Sequence, residues 1–306
     1  MTVIAQRWAG LGGNVRGAVW ILLAAFLMSA QSTLIKSLGT TMDSLEIVFF
    51  RGLFGVALIL PFLTPIGWIH LSTRRPKLHL ARAIAGVIAM GCGFYAFTKL
   101  SLADATAIAF TMPLFMIVLA VTALGEVVGW RRWTATLIGF AGVLVVVRPG
   151  MAAFQAASLI ALVGALSHAV VGVLLKKLAS TETMASIMFY FSVTGTVVFL
   201  VPALLVWTTP SWSELGFLAV MSALGMSSQA AFFQACRVGE MTAVTPFDYS
   251  RLIFAVAFGY LLFDELPDAW TAGGATVIVA STLFIARREA RLARRAATRE
   301  DAPPEP

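Results

Sequence analysis

Ten apolar runs, each close to the length of a membrane-spanning helix, constrain this chain more than any other feature. A helix needs about 20 mostly apolar residues to cross the ~30 Å hydrocarbon core of a bilayer. Only 12% of the 306 residues are charged, against about 25% in soluble domains. We therefore expect an all-α integral membrane protein with ten transmembrane helices. The runs lie at residues 17–37, 45–63, 80–99, 103–123, 131–148, 156–176, 184–206, 213–236, 241–263 and 268–286.

The same composition excludes several classes of function. The net charge of +7 comes from arginines in short connectors and near the C-terminus, whereas a nucleic-acid-binding protein clusters Lys and Arg on one soluble face. The sequence contains no HExxH, GxSxG, GxGxxG or GxxxxGK(S/T) motif, each of which would indicate an enzyme or a nucleotide site. We expect no enzyme activity, no cofactor, no bound metal and no nucleic-acid partner.

The distribution of Lys and Arg between the connectors predicts the orientation in the membrane. Lys36, Lys99 and Arg148 fall on one side, Arg51 and Arg251 lie inside spans, and the remaining seventeen fall on the other side. Cytoplasmic connectors carry the excess of Lys and Arg. We therefore expect a multi-pass protein of the cytoplasmic (inner) membrane with both termini in the cytoplasm.

The two halves of the chain repeat each other. Phe110-Thr111 matches Tyr249-Ser250 at an offset of 139 residues, and three other segments match at nearly the same offset. Because each half has five spans, an odd number, the second copy must be inverted relative to the first. We expect two inverted five-helix repeats, an arrangement of secondary transporters in which the substrate binds near the bilayer midplane between the repeats.

These repeats divide the chain into four parts. Residues 1–16 lack the apolar core of a signal peptide, so we expect a cytoplasmic N-terminal segment and an uncleaved first span. The first repeat covers residues 17–148 and the second residues 156–286. Residues 287–306 form a basic cytoplasmic tail, which we expect to be disordered and to lie against anionic lipid.

Two copies of one motif carry a resemblance to a known family. The first copy contains LADATAIAFTMPLF and ends in LGE at residues 124–126, and the second contains VGEMTAVTPF and ends in FDE at residues 263–265. Over about residues 17–286 the chain resembles the EamA type of the drug/metabolite transporter superfamily. The resemblance implies a secondary transporter that moves small metabolites without ATP.

The branch that the chain most resembles is the amino-acid exporters, including those for aromatic amino acids. Riboflavin-like vitamin uptake carriers and other metabolite carriers are an alternative within the family, and a passive channel is an alternative outside it. The expected partners are a small-molecule substrate and the lipid bilayer, for a monomer or a weak homodimer.

Proline interrupts the fourth and ninth spans, which are equivalent helices of the two repeats. Pro113 and Pro246 each remove a backbone hydrogen bond, and helices interrupted at equivalent positions mark the binding site or gate of many transporters. A kink without function is the alternative. Several rings and polar groups can line a cavity around these breaks, or serve as interhelical packing. They are Phe110, Thr111, Tyr249, Ser250, Tyr95, Gln31 and Gln229.

Charged residues inside spans are the other site candidates. Arg251 lies about 15 Å into the ninth span, near the midplane, and Asp248 lies on the same helix face. The pair can bind the carboxylate and ammonium groups of an amino acid, or it can neutralise itself as part of the packing. Arg51 lies closer to a span end, from which its side chain can snorkel to the outer surface.

His168 is the one histidine within a span, about midway along the sixth. Its ordinary pKa near neutrality suits proton coupling. A neutral histidine hydrogen-bonded to a neighbour is the alternative. Gly164 and Gly172 lie one turn away on either side, so a backbone or a ligand can approach His168 closely.

Overall fold

The computed structural model describes residues 13–63, 75–124, 130–148, 155–178, 184–238 and 245–300. Helices dominate these ranges. Their bounds are Gly13–Leu38 (α1), Ser44–Leu63 (α2), Pro76–Lys99 (α3), Leu102–Ala109 (α4), Met112–Leu124 (α5), Trp130–Val147 (α6), Ala156–Leu178 (α7), Met184–Leu205 (α8), Trp212–Val238 (α9), Ser250–Phe263 (α10) and Ala269–Glu300 (α11), with a 3₁₀ helix at Thr245–Tyr249.

The helices follow the ten predicted spans. The fourth span is split into α4 and α5, and the ninth begins with the 3₁₀ helix before α10. Within the described ranges, seven helical segments are long and apolar enough to cross a membrane, and the remaining apolar helices are shorter. The prediction of an all-α membrane protein with ten spans is confirmed.

The helices of the two repeats interlock. The most extensive contacts pair α1 with α9, α3 with α7, α2 with α8, and α6 with α11. Each pair joins one helix of each repeat. Exchanging the repeats converts the α1–α9 pair into the α7–α3 pair and maps the other two pairs onto themselves. This is the packing expected for inverted repeats related by a two-fold axis in the membrane plane.

One end of the bundle is held by ion pairs between the repeats. At the end of α1, the Lys36 Nζ atom lies 2.7 Å from Glu265 Oε1 and donates to the Leu100 carbonyl oxygen at 2.7 Å. Arg148, after α6, pairs with Asp268, before α11. These side chains lie where helices of both repeats end, so the cations of the first repeat are neutralised by carboxylates of the second.

The basic tail differs from the prediction. α11 continues from the last span without interruption to Glu300, so the prediction of a disordered tail is wrong for residues 287–300. Alanine and arginine dominate this stretch and are among the best helix formers. The first proline of the tail is Pro303, and residues 301–306 lie outside the described ranges.

Candidate functional site

The helix breaks of the two repeats face each other. α4 ends at Ala109 and α5 begins at Met112, so Phe110 and Thr111 form the break in the first repeat. Tyr249 ends the 3₁₀ helix that forms the break in the second. The Phe110 and Tyr249 ring centroids lie 4.9 Å apart. Two positions that the sequence repeat makes equivalent are therefore in direct contact between the repeats.

The two prolines lie beside the breaks rather than within a continuous helix. Pro113 is the second residue of α5, in the first helical turn, where a missing N–H costs no hydrogen bond. Pro246 lies in the 3₁₀ helix ahead of α10. Thr111 is fully buried, and its hydroxyl donates to the Ile108 carbonyl oxygen at 2.7 Å. Its side chain closes the turn and does not face a cavity.

Arg251 extends from the first turn of α10 across the break of the first repeat. Its guanidinium carbon lies 4.7 Å from the Phe110 ring centroid, within the range of a cation–π interaction. One Nη atom lies 3.8 Å from Asp248 Oδ2, which is an ion pair but not a hydrogen bond. The Arg251 Nε atom and the Ser250 hydroxyl are both buried and have no hydrogen-bond partner among the described residues.

The first repeat also contacts the Arg251 backbone. The Ser29 hydroxyl on α1 donates to the Arg251 carbonyl oxygen at 3.2 Å. The predicted Asp248–Arg251 pair therefore exists, and it lies at the contact between the repeats. Buried donors without a partner cost about 1–3 kcal/mol each, so this segment of α10 has hydrogen-bonding capacity that the described protein groups do not use.

His168 lies on the helix face that packs against α3 and α5 of the first repeat. Gly164, one turn before it, faces Cys92 of α3, and Gly172, one turn after it, faces Met116 of α5. His168 is exposed although it shares this packed helix face. The guanidinium groups of Arg251 and Arg82 both lie within electrostatic range of its ring. We call the region around the exposed side chain of His168, which includes Arg82 and Arg251, the inter-repeat opening.

The remaining predicted side chains occupy different environments. Tyr95 and Tyr249 pack against the apolar cluster that contains Phe110, so these three rings share one region. Gln31 is buried, and its amide fills the space beside Gly225 of α9, where a Cβ atom would lie 2.5 Å from Gln31 Nε2. Gln31 therefore packs α1 against α9 and does not line the opening. Gln229 is exposed on α9.

Two arginines have environments that differ from their prediction. Arg51 does not snorkel outward: it is 5% exposed, and its Nη1 atom lies 3.0 Å from the position of a Cβ atom on Gly55. Its side chain therefore runs inward along α2 beside Ser192. Arg82 is one of the seventeen cations that the sequence assigns to the cytoplasmic side, but it lies within α3. Its Nη1 atom donates to the Ile187 carbonyl oxygen at 3.2 Å, and its guanidinium lies 5.2 Å from the Phe191 ring centroid.

A sequence signal for both arginines exists. Each is flanked on both sides by apolar residues, which is unusual for a solvated connector.

In the part of the chain that the structure describes, no three or more His, Cys, Asp or Glu side chains lie together as a metal site. The chemistry of the site is therefore that of rings, hydroxyl groups and cations, with Asp248 as the carboxylate beside Arg251.

Comparison with known proteins points to one family. The family described as "EamA-like transporter family" matches residues 15–148 and 155–287. The chain is 34% identical to the S-adenosylmethionine uptake transporter of Rickettsia prowazekii, over 89% of this chain and 92% of that protein. It is 29% identical to the pseudopaline exporter CntI of Pseudomonas aeruginosa (89% and 96% covered) and 30% identical to the riboflavin transporter of Vibrio cholerae (92% and 96% covered).

A solved crystal structure shares the fold. It superposes with a TM-score of 0.61 over 89% of this chain and 98% of the other, at 18% sequence identity. At this identity the likeness concerns the fold alone. The named relatives include uptake carriers and an exporter, and none of these three is named as an amino-acid exporter.

Proposed function

The chain belongs to the EamA-like transporter family and is a multi-pass membrane transporter of small metabolites, and from that premise we propose that it is a secondary carrier for solutes that combine a flat ring with an amino-acid group. The carrier works by alternating access around the meeting point of the two helix breaks. Both termini lie in the cytoplasm, as the Lys and Arg distribution predicts. Residues 17–148 and 156–286 are the two repeats that move relative to each other.

One observation carries this proposal: the broken helices of the two repeats meet in an aromatic pair with an arginine and a carboxylate beside it. Phe110 and Tyr249 offer rings, which suit a flat aromatic solute. Arg251 and Asp248 place one charge of each sign beside these rings, an environment that suits a solute carrying both a carboxylate and an ammonium group. Interactions at a contact between repeats change when the repeats move, and binding there couples the solute to alternating access.

S-adenosylmethionine is the leading candidate substrate, taken up into the cell. It carries an adenine ring and an amino-acid group, and the uptake transporter of Rickettsia prowazekii is 34% identical to this chain. Export of aromatic amino acids is the second candidate, since these solutes contain the same two elements in smaller form. Uptake of riboflavin-like vitamins agrees with the rings but leaves the Arg251–Asp248 pair without a role in binding.

Counterflow in proteoliposomes tests the proposal. Vesicles loaded with unlabelled S-adenosylmethionine or phenylalanine are diluted into the same labelled compound, and a carrier accumulates label transiently. We expect saturable counterflow that falls at least tenfold in Arg251→Ala and in His168→Ala. Lys77→Ala is the matched control, because Lys77 is an exposed cation at the start of α3.

Two results would contradict it. Flux that does not saturate and shows no acceleration by trans substrate would indicate a channel. Full activity of both Arg251→Ala and His168→Ala would place the substrate elsewhere in the transporter. Counterflow with phenylalanine but not with S-adenosylmethionine would favour the amino-acid carrier.

A further inference from the structure

Arg82 is a membrane-embedded cation with few partners. It lies in the second turn of α3 and is half-buried. Its hydrogen bond to the Ile187 carbonyl oxygen is the one that it forms with described residues. Its Nε atom is buried without a partner, and no described carboxylate forms an ion pair with it. Guanidinium presents five N–H donors, so most of its capacity is unused.

A cation in this position is costly unless something neutralises it. Charged side chains within membrane spans normally pair with each other, face a wet cavity or bind a substrate. The Phe191 ring under the guanidinium compensates part of this cost through a cation–π interaction. It holds the guanidinium against α8, and the Ile187 carbonyl oxygen is the described acceptor for the donors in the guanidinium plane.

The inter-repeat opening combines Arg82 with two groups of the other repeat. His168 is exposed and within electrostatic range of both Arg82 and Arg251. Arg251 already has a carboxylate, Asp248, at 3.8 Å and stacks on Phe110. Among the described residues, Arg82 has neither a carboxylate nor a second carbonyl as partner. The opening is therefore positive, and its excess charge belongs to Arg82.

We propose that Arg82 is a specificity-determining residue that binds the carboxylate of the substrate. This assignment rests on the proposed carrier function and deepens it. It reverses the simplest expectation, in which Arg251 binds the carboxylate. Arg251 is instead paired with Asp248 and contacts the helix break of the first repeat through Phe110.

Bidentate guanidinium–carboxylate pairing accounts for the choice of arginine. Two parallel N–H···O bonds fix both the charge and the orientation of a carboxylate, and lysine cannot reproduce this geometry. Arg82 lies on α3 of the first repeat, and its guanidinium contacts Ile187 and Phe191 of the second repeat. A carboxylate bound at Arg82 therefore lies at the contact between the two repeats. Substrates without a carboxylate gain nothing from Arg82.

The test compares two pairs of ligands that differ in the carboxylate alone. The first pair is S-adenosylmethionine and its decarboxylated form, and the second is phenylalanine and phenethylamine. Each compound is used to inhibit counterflow and to raise the thermal stability of the purified protein in detergent, which reports binding without transport. The variants are Arg82→Gln, Arg82→Lys and the control Lys77→Gln. Size-exclusion chromatography confirms that each variant is folded.

We expect Arg82→Gln to weaken binding of the carboxylate-containing member at least tenfold and to leave its decarboxylated partner within about twofold of wild type. Arg82→Lys should give an intermediate loss, and Lys77→Gln none. Equal weakening of both members of a pair would overturn the assignment, as would a selective loss in Arg251→Gln instead.

The two proposals fail in distinguishable ways. Thermal stabilisation by the carboxylate ligands without counterflow would contradict the carrier function and leave the variant comparison at Arg82 intact. Counterflow in wild type with no carboxylate selectivity at Arg82 would retain the carrier and refute the anchor. If no carboxylate ligand either stabilises the protein or drives counterflow, both are refuted.

Discussion

Gly274→Ala tests the close crossing of α6 and α11, the equivalent last helices of the two repeats. A Cβ atom on Gly274 would lie 2.7 Å from the Gly142 carbonyl oxygen and 2.6 Å from Val146 Cγ2. One on Gly142 would lie 3.0 Å from the Gly274 carbonyl oxygen. Small residues allow such close approach of membrane helices. Because a backbone atom is the obstacle, a side-chain rotation cannot relieve the clash, and the two helices must separate.

The neighbouring residue provides a matched control. A Cβ atom on Gly273 would meet no atom within 4 Å. Both substitutions gain the same helix propensity, about 1 kcal/mol for Gly to Ala. The difference between the two variants therefore isolates the packing cost. Overpacking of this kind costs about 1–3 kcal/mol, so Gly273→Ala should be neutral or stabilising and Gly274→Ala less stable than Gly273→Ala by that amount.

Thermal unfolding of the purified protein in detergent measures this difference. At about 2–4 °C per kcal/mol for chains of some 200 residues, we expect Gly274→Ala to unfold about 2–12 °C below Gly273→Ala. Membrane proteins often unfold irreversibly, so both variants are heated at the same rate and compared as a pair. Equal unfolding temperatures would show that α6 and α11 are not in backbone contact, and the fold described for this pair would be wrong.

The ion pairs at one end of the bundle yield two further predictions. Lys36→Met should destabilise the protein by about 1–3 kcal/mol, between the values for exposed and buried pairs, because Glu265 loses its cation. The double variant Lys36→Met/Glu265→Gln should recover part of this loss in the same thermal assay, and no recovery would contradict the pairing. Burial raises the pKa of Asp268, but hydrogen bonds from Thr271 and Arg148 lower it by more. The net pKa therefore lies below the ordinary 3.8. Such a carboxylate stabilises the fold above about pH 3.8 and loses that contribution as the pH falls below it. Lowering the pH from 6 to 3 should therefore lower the unfolding temperature of Asp268→Asn less than that of wild type.

The ten spans and the inverted repeat follow from the sequence because both depend on properties that the sequence contains directly. Apolar length determines whether a helix crosses the bilayer, and an odd number of spans determines the inversion. Pro113 and Pro246 likewise indicate where the helices of the fourth and ninth spans break. Proline alone does not locate a break, however. α2 and α8 run through Pro61 and Pro202, each within the last turn of its helix, where little of the helix remains to be disrupted.

The environments of individual side chains could not be predicted in the same way. Gln31 and Thr111 carry the polar groups of a cavity lining, yet both are buried in packing or turn contacts. A helical pattern gives the face on which a residue lies. It does not say whether that face meets another helix or an open space, because this depends on which helices of the other repeat pack against it.

The environment of the charged side chain of Arg82 could not be predicted from the sequence either. The apolar run of the third span begins at residue 80, which makes Arg82 look like a residue at a span boundary. α3 begins instead at Pro76, so Arg82 lies a further turn inside the helix. There its guanidinium packs on Phe191 of the second repeat. With the helix start at residue 80, Arg82 counts as one of the connector charges that indicate orientation in the membrane. With the start at Pro76, it belongs to the candidate site.

The distribution of paired and unpaired cations supports the position of the site. At one end of the bundle, Lys36 and Arg148 of the first repeat each have a carboxylate of the second repeat as partner. Within the bundle, Arg51 and Arg82 form no ion pair with a described carboxylate, although a charge there costs more. The difference between these cations is not one of exposure, since the paired Lys36 and Arg148 side chains are only 13% and 15% exposed. On the proposal made above, the carboxylate of the solute is the anion that pairs with Arg82.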